Sequence, residues 1–182
     1  MTSTGNEAEM LTRVVSGDRA AFDEIMRLHE DRVFSVCLRI LRDREGALDA
    51  TQDTFLTVFR KANQFQGRSA LGTWIYRIAV NTCYDHLRRS RRKPTQPLPE
   101  HVDPSDPSAE ETIDSAALRP EIESALALIP VDFRDAVILS DLEGLTMPEA
   151  AEVLGVPIGT VKSRVFRGRR LLAEHLGNQY DP

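Results

Sequence analysis

DLEGLTMPEAAEVLGVPIGTVKSRVFRGRRLL, residues 141 to 172, is the stretch that decides the fold class. Thr146 has the side chain of an N-cap, and Pro148 stands early enough in the following helix to be tolerated. Ala150, Ala151, Val153 and Leu154 give that helix an apolar side, and Gly155 closes it. Pro157 and Gly159 surround a short turn, Thr160 caps or opens the next segment, and a final helix runs to about Leu176. Two helices joined by a tight turn, the second strongly basic, form the helix-turn-helix signature of a duplex-DNA binder. At about 100° per residue, Val161, Val165, Gly168 and Leu172 share a narrow arc, which is predicted to face the first helix, with Gly168 permitting close approach. The opposite arc carries Arg169, Lys162, Phe166, Arg170, Ser163 and Arg167. A phenylalanine amid cations suits a surface on which the ring meets a thymine methyl or sugar while Arg and Lys reach guanine edges or phosphates. The competing reading is a solvated basic helix. A helix-turn-helix alone says only that duplex DNA is bound.

Working outward, Ile122, Leu126 and Ile129 form a short apolar face that stops at Pro130, and Phe133, Val137, Ile138 and Leu142 form another that stops at Gly144. Upstream, five of the ten prolines stand between Pro94 and Pro107, mixed with Asp, Glu, Ser and Thr. That composition is a linker, and it divides the chain into 1–93, a connector at 94–117, and 118–182. In the first part, Phe22, Ile25 and Met26 are followed by Val33, Val36, Cys37, Ile40 and Leu41 at helical spacing. A second helix is predicted over about 46–62 with Phe55, Val58, Phe59 and Ala62. After a break at NQFQGRS, a third carries Leu71, Trp74, Ile75, Ile78, Ala79, Thr82 and Cys83 on one face. No stretch alternates with period two. The class is all-α: two small helical domains joined by a flexible, acidic, Pro-rich linker.

Hydrophobic content of 41% and charged content of 28% are ordinary for a globular protein, and no apolar run approaches the roughly 20 residues that span a bilayer. The opening MTSTGNEAEML is neither basic nor apolar, so a cytoplasmic location is expected. Cys37 and Cys83 lie in apolar helical patterns and are read as core residues rather than as a disulfide or metal site. The net charge of −5 conceals strong segregation. RRSRRK at 88–93 carries five positive charges, KSRVFRGRR at 162–170 carries five more, and 100–114 carries six acids and no Lys or Arg. His29, His86, His101 and His175 are scattered, and no HExxH, P-loop or GxSxG motif is present. Neither catalysis nor a cofactor is expected.

Three stretches in order, ATQDTFLTVFRKA, FQGRSALGTWIYRIAVNTCYDHLRR and DLEGLTMPEAAEVLGVPIGTVKSRVFRGRRLL, resemble the sigma-70 family, specifically its extracytoplasmic-function group. The resemblance implies a second sigma domain, a three- to four-helix bundle, in 1–93 and a fourth sigma domain in 118–182. It implies that Asp49, Gln52, Asp53 and Phe55 dock on the beta-prime clamp helices of core RNA polymerase, with Gly46 and Leu48 standing where acids are common in the family. Asn63, Gln64, Phe65, Gln66, Gly67, Arg68 and Ser69 match the loop that captures a flipped base of the minus-ten element. Thr73, Trp74, Arg77 and Asn81 match the helix beside the melted strand, where bases stack and hydrogen-bond. Trp74 shares a face with Ile78, so a core role competes with the DNA role. Arg88, Arg89, Arg91, Arg92 and Lys93 would grip backbone phosphates. Thr160, Lys162, Ser163, Phe166, Arg167 and Arg170 match the minus-thirty-five reader. The implied partners are core RNA polymerase, through the clamp helices and the beta flap, promoter DNA, and an anti-sigma factor. The acidic linker would thread through the polymerase. The rival is a conventional helix-turn-helix regulator, which has no use for a melted-strand surface.

Overall fold

The computed structural model describes residues 3–92 and 120–177, and the described residues are helical throughout apart from turns and short connections. The linker expected at 94–117, and Lys93 with it, lies outside the described residues. The N-terminal part comprises α1 (Ser3–Val15), α2 (Arg19–Leu41), α3 (Arg44–Lys61) and α4 (Leu71–Arg92). A single 3-10 turn, Ala62–Gln64, follows α3. The C-terminal part comprises α5 (Pro120–Leu128), α6 (Val131–Val137), a π-helical turn at Ile138–Leu142, α7 (Met147–Leu154) and α8 (Ile158–Gly177).

Local chemistry sets the ends. Asp18 caps α2, its carboxylate accepting from the Ala21 N–H at 3.2 Å. Arg42 turns left-handed at φ 58° to end it, and Asp43 then caps α3 by accepting from the Gly46 N–H at 2.8 Å. That cap explains Gly46. A Cβ there would stand 2.7 Å from the Asp43 carboxylate. The cap expected at Thr146 is present as a capping box: its hydroxyl accepts from the Glu149 N–H at 3.4 Å and the Glu149 carboxylate accepts from the Thr146 N–H at 2.8 Å. Gly155 ends α7 at φ 65°, as its place in the sequence predicts. Thr160 is neither cap nor opening residue, because α8 begins two residues earlier, at Ile158, directly after Pro157.

Packing within the N-terminal bundle follows the apolar stripes. Ile25, Val33, Val36, Cys37, Ile40, Val58, Leu71, Ile75 and Cys83 are buried, and both cysteines are free thiols in the core. Helix α1 was not legible beforehand; the buried apolar side chains among its described residues are Met10, Leu11 and Val14, a stripe too short to stand out as periodicity. In the C-terminal part, Val161, Val165 and Gly168 are buried as the angular argument requires. Gly168, however, meets α6 rather than α7: a Cβ on it would lie 2.6 Å from Val137 Cγ2 and 2.9 Å from the Phe133 carbonyl oxygen.

The two parts also share one core. Ala136, Leu139, Leu145, Ala150, Ala151 and Val153 belong to the same buried cluster as the residues of α2, α3 and α4. Polar contacts reinforce the seam. The Tyr84 hydroxyl donates to Asp135 at 2.6 Å, and Arg134 donates to the Ile40 carbonyl at 3.4 Å. Glu143, only 6% exposed, lies between Arg32, Ser35 and Arg39 of α2.

Candidate nucleic-acid interface

The outer face of α8 is the clearest surface. Lys162, Ser163, Phe166, Arg167 and Arg170 are exposed, and Thr160 is half-buried. Phe166 is 70% exposed, the highest value among the large apolar side chains of the described residues. The ring is therefore not packed under any described element of the fold. The cations differ in freedom. Arg167 sits 6.0 Å from the Phe133 ring centroid, Arg170 is 3.5 Å from Glu174, and Arg169 is committed to a two-pronged pair with Asp141 at 2.6 and 2.9 Å. Arg169 thus braces α8 against the π turn instead of joining the reading face, and the Asp141 carboxylate raises its pKa. The Ser163 hydroxyl donates to the Thr160 carbonyl at 2.9 Å.

Between α3 and α4, Gln64, Phe65, Gln66, Arg68, Ser69, Trp74 and Arg77 line a cavity of about 260 Å³. Gly67 supports the turn at φ 66°, a conformation that L side chains rarely adopt. Trp74 is buried to 7% exposure, its ring 5.3 Å from Phe65 at an interplanar angle of 59°. It forms the floor of the cavity and part of the core, so the core role and the lining role coexist. Asn63 and Asn81 are exposed. Thr73 is not free: it is 4% exposed and donates to Glu149 of α7 at 3.5 Å, and Arg77 pairs with Glu152 of α7 at 3.7 Å. Glu152 itself lines the cavity. Nothing in the sequence pattern announced that α7 would meet α4.

Of the residues expected at a polymerase contact, Asp49 and Gln52 are exposed and line a groove of about 450 Å³ between α2 and α3, shared with Glu30, Asp31, Phe34 and Leu48. Glu30 and Asp31 add acid to this groove; their adjacency was visible in the sequence, but which side of α2 meets α3 was not. Asp53 turns away, its carboxylate 3.0 Å from His86 Nε2 of α4. Phe55 is 3% exposed, packed in the core while also lining the floor side of the same groove. In the basic run, α4 continues through Arg92; Arg89 is exposed and Arg88 pairs with Asp85.

The described residues form an all-helical, two-part architecture: a helix-turn-helix whose second helix displays cations around an exposed ring, and a helical bundle that carries a polar cavity. The family model for Sigma-70 region 2 matches residues 25–93, and that for Sigma-70, region 4 matches 119–172. The ECF RNA polymerase sigma factor SigM of Mycobacterium tuberculosis is 38% identical over 172 residues, covering 94% of this chain and 85% of the relative. The RNA polymerase sigma-H factor of Pseudomonas aeruginosa is 32% identical, covering 97% and 96%. Among solved structures, the sigma factor RpoE in complex with the anti-sigma factor NepR from Bartonella quintana superposes with a TM-score of 0.71 at 27% identity, covering 88% of this chain and 98% of that one. CnrH, solved with the cytosolic domain of CnrY, superposes with a TM-score of 0.70 at 20% identity over 94% and 97%, a likeness of fold. The chain belongs to the extracytoplasmic-function sigma factors of the sigma-70 family.

Proposed function

We propose that this sigma factor binds core RNA polymerase and directs it to promoters by reading two separated elements: the minus-ten element with the cavity and outer side of α4, and the minus-thirty-five element with α8. The observation that carries the reading is Phe166, 70% exposed between Lys162, Arg167 and Arg170. An exposed ring among cations gains nothing from water and gains contact area from base edges and sugars in a major groove. The cavity supports the second half. Arg68, Gln64 and Gln66 supply donors around a Phe65–Trp74 floor, the kind of lining that holds an unstacked base. The exposed arginines from Arg88 to Arg89, with Arg91, Arg92 and Lys93 beyond, serve backbone phosphates.

The α2–α3 groove, with three acids, Glu30, Asp31 and Asp49, against one cation, Arg44, the polar Gln52, and Leu48 and Phe34 between, suits a partner that is basic and partly apolar, and we assign it to the polymerase clamp helices. The beta flap remains the assigned partner of the C-terminal part. An anti-sigma factor is proposed as a further partner, since the superposable RpoE was solved with one. The reading requires no catalytic residue and no cofactor in the chain, and it places the protein in the cytoplasm beside the chromosome; among the described residues no helix is long and apolar enough to cross a membrane.

Reconstituted run-off transcription with core RNA polymerase and a promoter library tests the proposal. Initiation that depends on this chain is expected. Tight binding of the chain alone to paired duplex half-sites, with no polymerase-dependent initiation, would instead make it a conventional regulator.

A further inference from the structure

A second cleft of the N-terminal bundle, of about 250 Å³, lies between α3 and α4. Leu56 is the one apolar side chain among the described residues that line it, and none of them comes from the C-terminal part. Its volume falls below the roughly 300–1,000 Å³ that hold a drug-sized molecule, so it fits a charged group carried on a larger ligand.

The acids in its wall are already met. Asp53 holds the His86 ring, its carboxylate 3.0 Å from Nε2, and Asp85 pairs with Arg88 one turn further along α4. The Arg88 guanidinium, foremost, keeps the Asp85 carboxyl below its usual pKa. Two cations are left over. Arg60, in the last turn of α3, and Arg89 of α4 are exposed and line the cleft from its two walls. Neither donates a hydrogen bond or stands within ion-pair distance of an acid among the described residues. The Thr57 and Thr82 hydroxyls, one from each wall, are likewise without a hydrogen-bond partner among those residues. Guanidinia offer forked N–H pairs to two oxygens of an oxyanion and hydroxyls offer single donors, which is the donor set that takes up a phosphate group.

We propose that the α3–α4 cleft is a phosphate site: Arg60 and Arg89 grip the anion from either wall, Thr57 and Thr82 donate to it, and Asp53 keeps His86 oriented beside it. This goes beyond the promoter reading, which gives Arg60, Thr57, Thr82 and His86 no role. Two sources present the same chemistry. One is the backbone of promoter duplex, which the basic run at 88–93 would carry past the cleft; the other is a free phosphorylated small molecule. Only the first source rests on the promoter reading.

The site itself is tested by titrating inorganic pyrophosphate into the isotope-labelled full chain and following the amide shifts by NMR, for the parent, Arg60→Gln and Arg89→Gln. Both arginines are exposed, so their replacement leaves the core alone. Saturable shifts centred on residues 53–60 and 82–89 are expected, with binding about tenfold weaker in each variant, as the loss of a charged hydrogen bond requires. Shifts as strong over the cations of α8 as over the cleft, or equal binding by the parent and both variants, would overturn the site. The sources are then separated by binding of the reconstituted holoenzyme to promoter duplexes in which one backbone phosphate at a time, upstream of the minus-ten element, is a neutral methylphosphonate. One position whose neutralisation weakens the parent but not Arg60→Gln, with a log–log salt slope about 0.9 shallower for the variant, marks the DNA backbone as the source. Neutral positions that act alike on parent and variant, beside an intact pyrophosphate site, mark the free phosphorylated ligand and leave the promoter reading untouched.

Discussion

At the scale of single residues, the geometry separates side chains left open on the outer face of α8, to which the proposed function gives the reading of DNA, from side chains that hold that helix in place. Arg169 and Arg167 stand two positions apart, yet the first is spent on Asp141 while the second remains on the exposed face beside Phe166. Replacing Lys162 or Arg167 with alanine is expected to cost about 1–3 kcal/mol in discrimination between minus-thirty-five sequences where the side chain meets a base. The same change lowers affinity for all sequences alike where it meets a phosphate. Competition assays with altered elements distinguish the two. Gly168 is the opposite kind of residue. Gly168→Ala puts a Cβ within 2.6 Å of Val137 and 2.9 Å of the Phe133 carbonyl. Overpacking against backbone should outweigh the helix-propensity gain of alanine, and a net loss of about 1–3 kcal/mol in urea denaturation is expected.

At the scale of elements, most of the helices were legible because their apolar residues recur at i, i+3 and i+4, and because Asp, Thr, Gly and Pro stand where caps and breaks need them. Thr146, Pro148 and Gly155 frame α7 as their chemistry dictates. What the pattern left open shares a cause. Phe55 and Asp53 sit on α3 beside Gln52 and Asp49, but only tertiary packing decides that the ring goes to the core, that Asp53 meets His86, and that the other two face the groove. Asp135 is a further case that no pattern marks: an acid fully buried on α6, accepting from Tyr84 and beside Arg134. Burial pushes its pKa above the usual carboxylate value, against the lowering pull of Tyr84 and Arg134 and with Asp132 nearby. Because the folded pKa is raised, its contribution favours the folded state fully below about pH 4 and is lost as pH rises through the elevated value. Relative to Asp135→Asn, the parent chain is therefore expected to gain stability as pH falls from neutrality, as read by denaturation of both proteins at several pH values.

At the scale of the whole molecule, charge segregation was visible in the sequence, with two basic runs and an acid-rich stretch between them, while the family was legible only through the resemblance of three stretches in order, which the family models bear out. What the sequence could not show was that the C-terminal part would pack onto the N-terminal bundle through a shared core, because the pairing of Glu143 with Arg39 spans more than a hundred positions and leaves no periodic signal. On the proposed function, one chain reads two promoter elements through two distinct faces when polymerase holds it. Sequencing the promoters selected from a randomised library by the reconstituted holoenzyme tests this most directly, with the parent chain compared with Phe166→Ala and Arg68→Ala. The account requires Phe166→Ala to relax preference in the minus-thirty-five element alone and Arg68→Ala to relax it in the minus-ten element alone. Selected promoters with a single conserved element, or two elements that both variants leave unchanged, would contradict it.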